Sequence, residues 1–159
     1  MTERGRRPDV ISELAPMRRY ALSLTRDRDA AEDLVQDALV KAIERRDQFR
    51  PGRNLRSWLL SILHNSFVDG CRAASVRARH AQEIARDAAS SEPAPQDEVL
   101  RLREVGEAFA ALPDEQRAAL HLVTIEGLSY DEAAATLGVP VGTLVSRISR
   151  ARARLRAFD

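Results

Sequence analysis

Apolar residues recur along this chain with helical spacing, and each recurrence ends at a residue that stops helices. Residues 10–25 carry Ile11, Leu14, Met17, Ala21 and Leu24 on one side, with Asp9 or Ser12 placed to cap the start, and the pattern breaks over 27–29. Residues 30–46 repeat the motif more broadly. Ala31, Leu34, Val35, Ala38, Leu39, Ala42 and Ile43 fall at i, i+3, i+4, i+7 and i+8, which predicts a wide core-facing stripe. The run QFRPGRN at 48–54 is a basic loop, after which Leu59, Ile62, Leu63 and Phe67 predict a helix from Leu55 to about His80 that Gly70 ends or bends. Two further helices are predicted at 97–112 and 114–126, separated by Pro113.

Residues 129–156 form the most informative stretch. Ser129 and Glu132 have the reciprocal capping spacing, Gly138 ends the helix they start, and Pro140 sits where a first-turn proline is tolerated, so a second helix begins near residue 139 or 140. At 100° per residue that second helix sorts into three stripes. Leu144, Ile148, Ala151 and Leu155 are apolar and pack on the first helix; Thr143, Arg147, Arg150 and Arg154 carry a hydroxyl and guanidinium groups; Gly142, Ser146, Ser149 and Ala153 are small. Small residues beside a basic row let a helix backbone approach a duplex while arginines reach phosphates and guanine edges. The competing reading of the row is a solvated basic face. The capped first helix and the glycine turn favour a helix-turn-helix that binds DNA.

Composition agrees with an all-α fold: aromatics are 4%, and Ala, Leu, Arg and Glu dominate the 159 residues. Residues 88–96, AASSEPAPQ, are small, polar and twice interrupted by proline, so they predict a linker between two small helical domains. Net charge is only +1, from 25 basic and 24 acidic residues, which excludes a polycation that coats nucleic acid indiscriminately. The charge is segregated instead. Arginines crowd the last twenty residues, while Glu104, Glu107, Asp114, Glu115, Glu126, Asp131 and Glu132 make the preceding stretch acidic.

Cys71 is the only cysteine, so no intramolecular disulfide forms and a reducing cytoplasm is the expected setting. Residues 1–9 are polar, and no apolar run has the length of a signal peptide or a membrane span. His64, Cys71 and His80 are spaced by seven and nine, which matches no zinc pattern, and no nucleophile and base stand together. Neither a metal, nor a cofactor, nor an enzyme is expected. On the second predicted helix Asp33, Gln36, Asp37 and Val40 lie opposite the core stripe. An outward valine among polar residues marks a partner surface, against the plainer reading of a solvated face.

The segments AEDLVQDALVKAIERRDQF and NLRSWLLSILHNSFVDGCR resemble region 2 of bacterial RNA polymerase sigma factors, and the final segment resembles region 4. With a proline-containing linker between them, the order is that of the extracytoplasmic-function (ECF) group, and the resemblance covers nearly the whole chain. LVQDALVKA and VGTLVSRISRARARL are similar in particular to the alphaproteobacterial general-stress branch. The resemblance implies a region 2 domain at 1–86, a linker at 87–97 and a region 4 domain at 98–159. It implies that Asp33, Gln36 and Asp37 dock on the clamp helices of core RNA polymerase. It further implies that Arg50, Gly52, Arg53 and Asn54 in the loop, with Asn65 and Arg72 on the third helix, hold the melted −10 element. Cations, an amide and a tight backbone suit single-strand capture. Gly142, Thr143, Ser146, Arg147, Arg150 and Arg154 would then read the −35 element, and an anti-sigma factor is the expected regulator. Two rival readings stand beside it: a helix-turn-helix regulator acting without polymerase, and a sigma mimic that titrates an anti-sigma factor.

Overall fold

The computed structural model describes residues 9–80 and 97–157; the expected linker and the polar N-terminal stretch fall outside them, apart from residues 9 and 97 at their margins. The described residues are helical, with no strand among them. After a 3-10 turn at Ile11–Glu13 come α1 (Leu14–Thr25), α2 (Arg28–Glu44) and α3 (Leu55–His80), then α4 (Asp97–Ala110), α5 (Asp114–Leu120), a π-turn at His121–Ile125, α6 (Tyr130–Leu137) and α7 (Val141–Arg156).

Local chemistry sets most of these boundaries. Arg26 closes α1 in the left-handed region at φ 57°, and the Asp27 carboxylate accepts from Ala30 N at 3.0 Å to open α2. Asn54 Oδ1 accepts from the N–H groups of Arg56 and Ser57 and so caps α3. Ser129 and Glu132 form the full capping box, and Gly138 at φ 66° terminates α6. Pro140 stands just outside α7 rather than in its first turn.

Four expectations need correction. Gly70 does not end α3, because a single glycine costs a helix only about 1 kcal/mol and the residues around it hold the ladder. Ile43 belongs to the apolar stripe of α2 by period, yet it is 63% exposed in the last turn of that helix. The helix expected over 114–126 is α only to Leu120, and its last five residues close with π-type bonds. The stripe Leu144, Ile148 and Ala151 is buried as expected, but it packs on α5 as well as on α6.

Met17, Tyr20, Leu59, Leu60 and Leu63 fill the core of the first half; Leu122, Leu144 and Ile148 fill that of the second. The two cores merge into one cluster, because α1 packs on α5 and α3 packs on α6. The halves are therefore closed upon one another. Among the described residues no helix is long and apolar enough to cross a membrane.

Candidate nucleic-acid and polymerase interface

The basic row of α7 is divided by its surroundings. Gly142, Ser146, Arg150 and Arg154 are exposed, whereas Thr143 and Arg147 are half-buried. The Arg147 guanidinium lies 3.6 Å from a Glu115 carboxylate oxygen, and its charge also acts on His64 of α3. Burial holds the His64 ring below its ordinary 6.5, and Arg147 lowers it further. His64 Nδ1 and the Tyr20 hydroxyl are hydrogen-bonded at 2.9 Å, so that ring nitrogen has a partner within the protein. Cys71 is exposed, and the side chain of His80 lies outside the described residues.

The loop residues Arg50, Gly52 and Arg53 are exposed, and Gly52 takes φ 91°, a conformation that a side chain would strain. Asn54 is committed twice. Its oxygen caps α3, and its Nδ2 donates to Glu132 Oε2 on α6 at 2.7 Å. Backbone bonding from Ser129 holds Glu132 below the usual carboxylate range against its partial burial, with Asn54 adding to the effect. Asn65 and Arg72 are exposed on one face of α3. Asp33, Gln36 and Asp37 are exposed along α2 beside Val40, which is 55% exposed.

The loop set is thus tied through Asn54 and Glu132 to α6, the helix that precedes the basic row, while the α2 set stands apart. Sequence reasoning missed what holds them there. Glu126, counted only as one of an acidic run, has no exposed side-chain surface. Its two oxygens accept from Arg19 Nε at 3.1 Å and Arg19 Nη2 at 3.0 Å, and Oε1 also accepts from His121 Nε2 at 3.0 Å. Burial pushes this carboxyl up, but the bonds and positive charge from His121 and Arg19 outweigh it and hold the group below its usual range. Arg56, itself paired with Glu13, donates to the Glu126 carbonyl. Arg117 is buried and donates to Ser23 O on α1 at 3.1 Å and to Leu112 O at 2.9 Å. One sequence signal existed: an acid closing the apolar run LHLVTIEGL, five residues after a histidine.

Two family models match the chain: Sigma-70 region 2 over residues 10–77 and Sigma-70 region 4 over residues 102–155. The ECF RNA polymerase sigma factor EcfG of Rhodopseudomonas palustris is 39% identical over 152 residues, which cover 96% of this chain and 83% of EcfG. The chain belongs to the ECF sigma factors. This family consists of transcription initiation factors. Among solved structures, the sigma factor RpoE of Bartonella quintana, crystallised with the anti-sigma factor NepR, is 37% identical to this sigma factor. It superposes with a TM-score of 0.80 over 94% of this chain and 92% of that one. CnrH in complex with the cytosolic domain of CnrY matches at 30% identity and a TM-score of 0.65, over 93% of this chain and 82% of that one.

Proposed function

We propose that this ECF sigma factor works in the cytoplasm as a dissociable initiation subunit of the general-stress branch. Asp33, Gln36 and Asp37 of α2 dock on core RNA polymerase. Gly142, Thr143, Ser146, Arg147, Arg150 and Arg154 of α7 enter the major groove of a −35 element. Arg50, Arg53 and Asn54, with Asn65 and Arg72, hold the opened −10 strand by charge, amide bonding and a tight turn. The division of labour follows a region 2 domain at 1–86, a linker at 87–97 and a region 4 domain at 98–159. An anti-sigma factor restrains the sigma factor, as NepR and CnrY accompany its relatives. No chemistry is assigned to this chain: positioning is its contribution, and nucleotidyl transfer is the polymerase's.

The observation that carries the reading is the sorting of surfaces. The polar face of α2 and the outer arginines of α7 are exposed on two separate helices, each in its own matched family segment. In vitro transcription with purified core polymerase and a genomic fragment library tests it. Discrete start sites sharing two elements, absent without this chain, are expected. Start sites unchanged by adding the chain would overturn it. Permanganate footprinting on duplex and premelted templates then separates opening from upstream recognition: Asn65→Ala should be rescued by a bubble and Arg150→Ala should not.

A further inference from the structure

We propose that a cavity at the seam between the two halves binds a small aromatic acid: one ring or two fused rings, with one carboxylate and one hydroxyl. The site needs none of the roles assigned above to α2, α3 and α7.

The seam joins α1 to α4, α5 and the π-turn. Arg26 donates to Ala110 O at 2.7 Å and Arg117 to Ser23 O at 3.1 Å, and all four residues line one cavity of about 330 Å³. That volume holds a ligand of one or two rings. Leu22, Phe109 and Ile125 supply apolar walls, and the Phe109 and His121 rings, 6.2 Å apart and tilted by 46°, offer an aromatic packing that a third ring extends. The π-turn builds the polar end. Its i→i+5 bond from Glu126 N to His121 O brings the two side chains together, so a single carboxylate holds both the His121 ring and Arg19 at the cavity.

Two buried polar atoms of residues lining this cavity have no partner in the protein. His121 is 4% exposed; its Nε2 is taken by Glu126 Oε1 at 3.0 Å, and its Nδ1 bonds to nothing. The Ser23 hydroxyl is likewise buried and unpartnered. Only one other such side-chain atom, Gln116 Oε1, occurs among the described residues, so their concentration here points to a group from outside the chain. A hydroxyl suits the His121 ring in either state, donating to Nδ1 of the neutral ring and accepting from Nδ1 of the protonated one. Charge asks for an anion. Arg19, Arg26 and Arg117 line the cavity, and no carboxylate does. The acids paired with them are Glu126, which takes Arg19, and Asp114, which lies 2.8 Å from Arg117 but 3.7 Å from Arg26. Three guanidiniums against two carboxylates leave one positive charge. Arg26, with its side chain half-exposed, is the cation least committed and the one that meets the ligand's carboxylate.

Calorimetric titration of the full chain with para-hydroxyphenylacetate and with hydroxynaphthoate tests the site. Saturable one-to-one binding in the sub-millimolar range is expected of at least one. The counterparts without a carboxylate, para-cresol and naphthol, should bind about tenfold more weakly, as should phenylacetate and naphthoate, which lack the hydroxyl. Arg26→Gln should weaken the hydroxy acids about tenfold and leave naphthol unchanged. Ile125→Trp, at a half-exposed position, should fill the cavity and abolish binding in a chain whose circular dichroism matches wild type. Failure of both hydroxy acids to saturate below about 1 mM overturns the site. Binding retained by a folded Ile125→Trp chain overturns its place at the seam. Equal affinity for naphthol and hydroxynaphthoate makes the cavity a seat for an apolar side chain of a protein partner and overturns the acid. Nitrogen NMR of the wild-type chain with isotope-labelled histidine needs no variant: the Nδ1 resonance of His121 should move on saturation while that of His64 stays, and an unmoved His121 resonance overturns the hydroxyl contact.

Discussion

The two halves bury different kinds of residue. Among the described residues of the first half, the only buried polar side chain is Ser66, which accepts from Lys41 at 3.0 Å; the rest of its core is leucine, alanine, valine, methionine, isoleucine, proline and Tyr20. The second half buries Arg117, His121, Glu126 and Thr136. Three of these bond to the first half directly, and His121 does so through Glu126. The difference separates two tasks. Apolar burial makes each helical unit stable, whereas buried polar groups, which gain little net energy once desolvation is counted, fix how one unit sits on the other.

The sharpest way to break this comparison is to delete carbon from the first core. Leu63→Ala, at a site with no exposure, should lower the unfolding free energy by about 2–5 kcal/mol in a urea titration. A loss below about 1 kcal/mol would mean that the first half does not depend on apolar packing. Next in size is the seam itself. A double-mutant cycle of Arg19→Ala and Glu126→Gln should give a coupling of about 0.5–2 kcal/mol, kept low because Arg19 is half-exposed. Additive losses would show that the pair does not orient the halves.

Acid provides a third and milder probe. The folded protein holds His64 below its ordinary value of 6.5, so the unfolded chain takes up the proton first as pH falls. Stability should be level above that value and decline beneath it, with a second decline below 4.5 as the depressed Glu126 carboxyl is lost. Removing the ring in His64→Gln should flatten the upper decline and leave the lower one. Identical urea midpoints at pH 7 and pH 5 in the wild-type chain would contradict this. The smallest effect on stability belongs to Asp33→Ala with Asp37→Ala: within about 0.5 kcal/mol, as for other exposed sites, while co-purification with core polymerase falls. Unchanged co-purification would return the α2 face to solvent.

What sequence reading reached and what it missed divide along the same line. The helices of both halves, the capping box at Ser129 and the buried stripe of α7 follow from period and local chemistry, which neighbouring residues determine among themselves. The exposed positions of Asp33, Gln36, Asp37, Arg150 and Arg154 follow equally from the angle around a helix. The seam does not. Arg19 and Glu126 are 107 residues apart, and nothing in the periodicity of either segment addresses the other. Arg147 illustrates the cost: its stripe was legible, but its partial burial and its place 3.6 Å from Glu115 of α5 were not. The π-turn was hidden for another reason. Five residues are too few to show a period, and HLVTI is apolar enough to continue a regular helix.

That turn absorbs one residue beyond a regular helical turn. A regular helix advances about 100° per residue, so ordinary bonds through these same residues would set His121 and Glu126 about 140° apart and turn the carboxylate away from Arg19, whereas a sequence one residue shorter between them would close with ordinary bonds and keep the two about 40° apart. Every helix, cap and arginine stripe would survive the deletion. At this position a helix holds one residue more than its regular turn, and the π-type bond takes up the excess without turning the carboxylate from the first half.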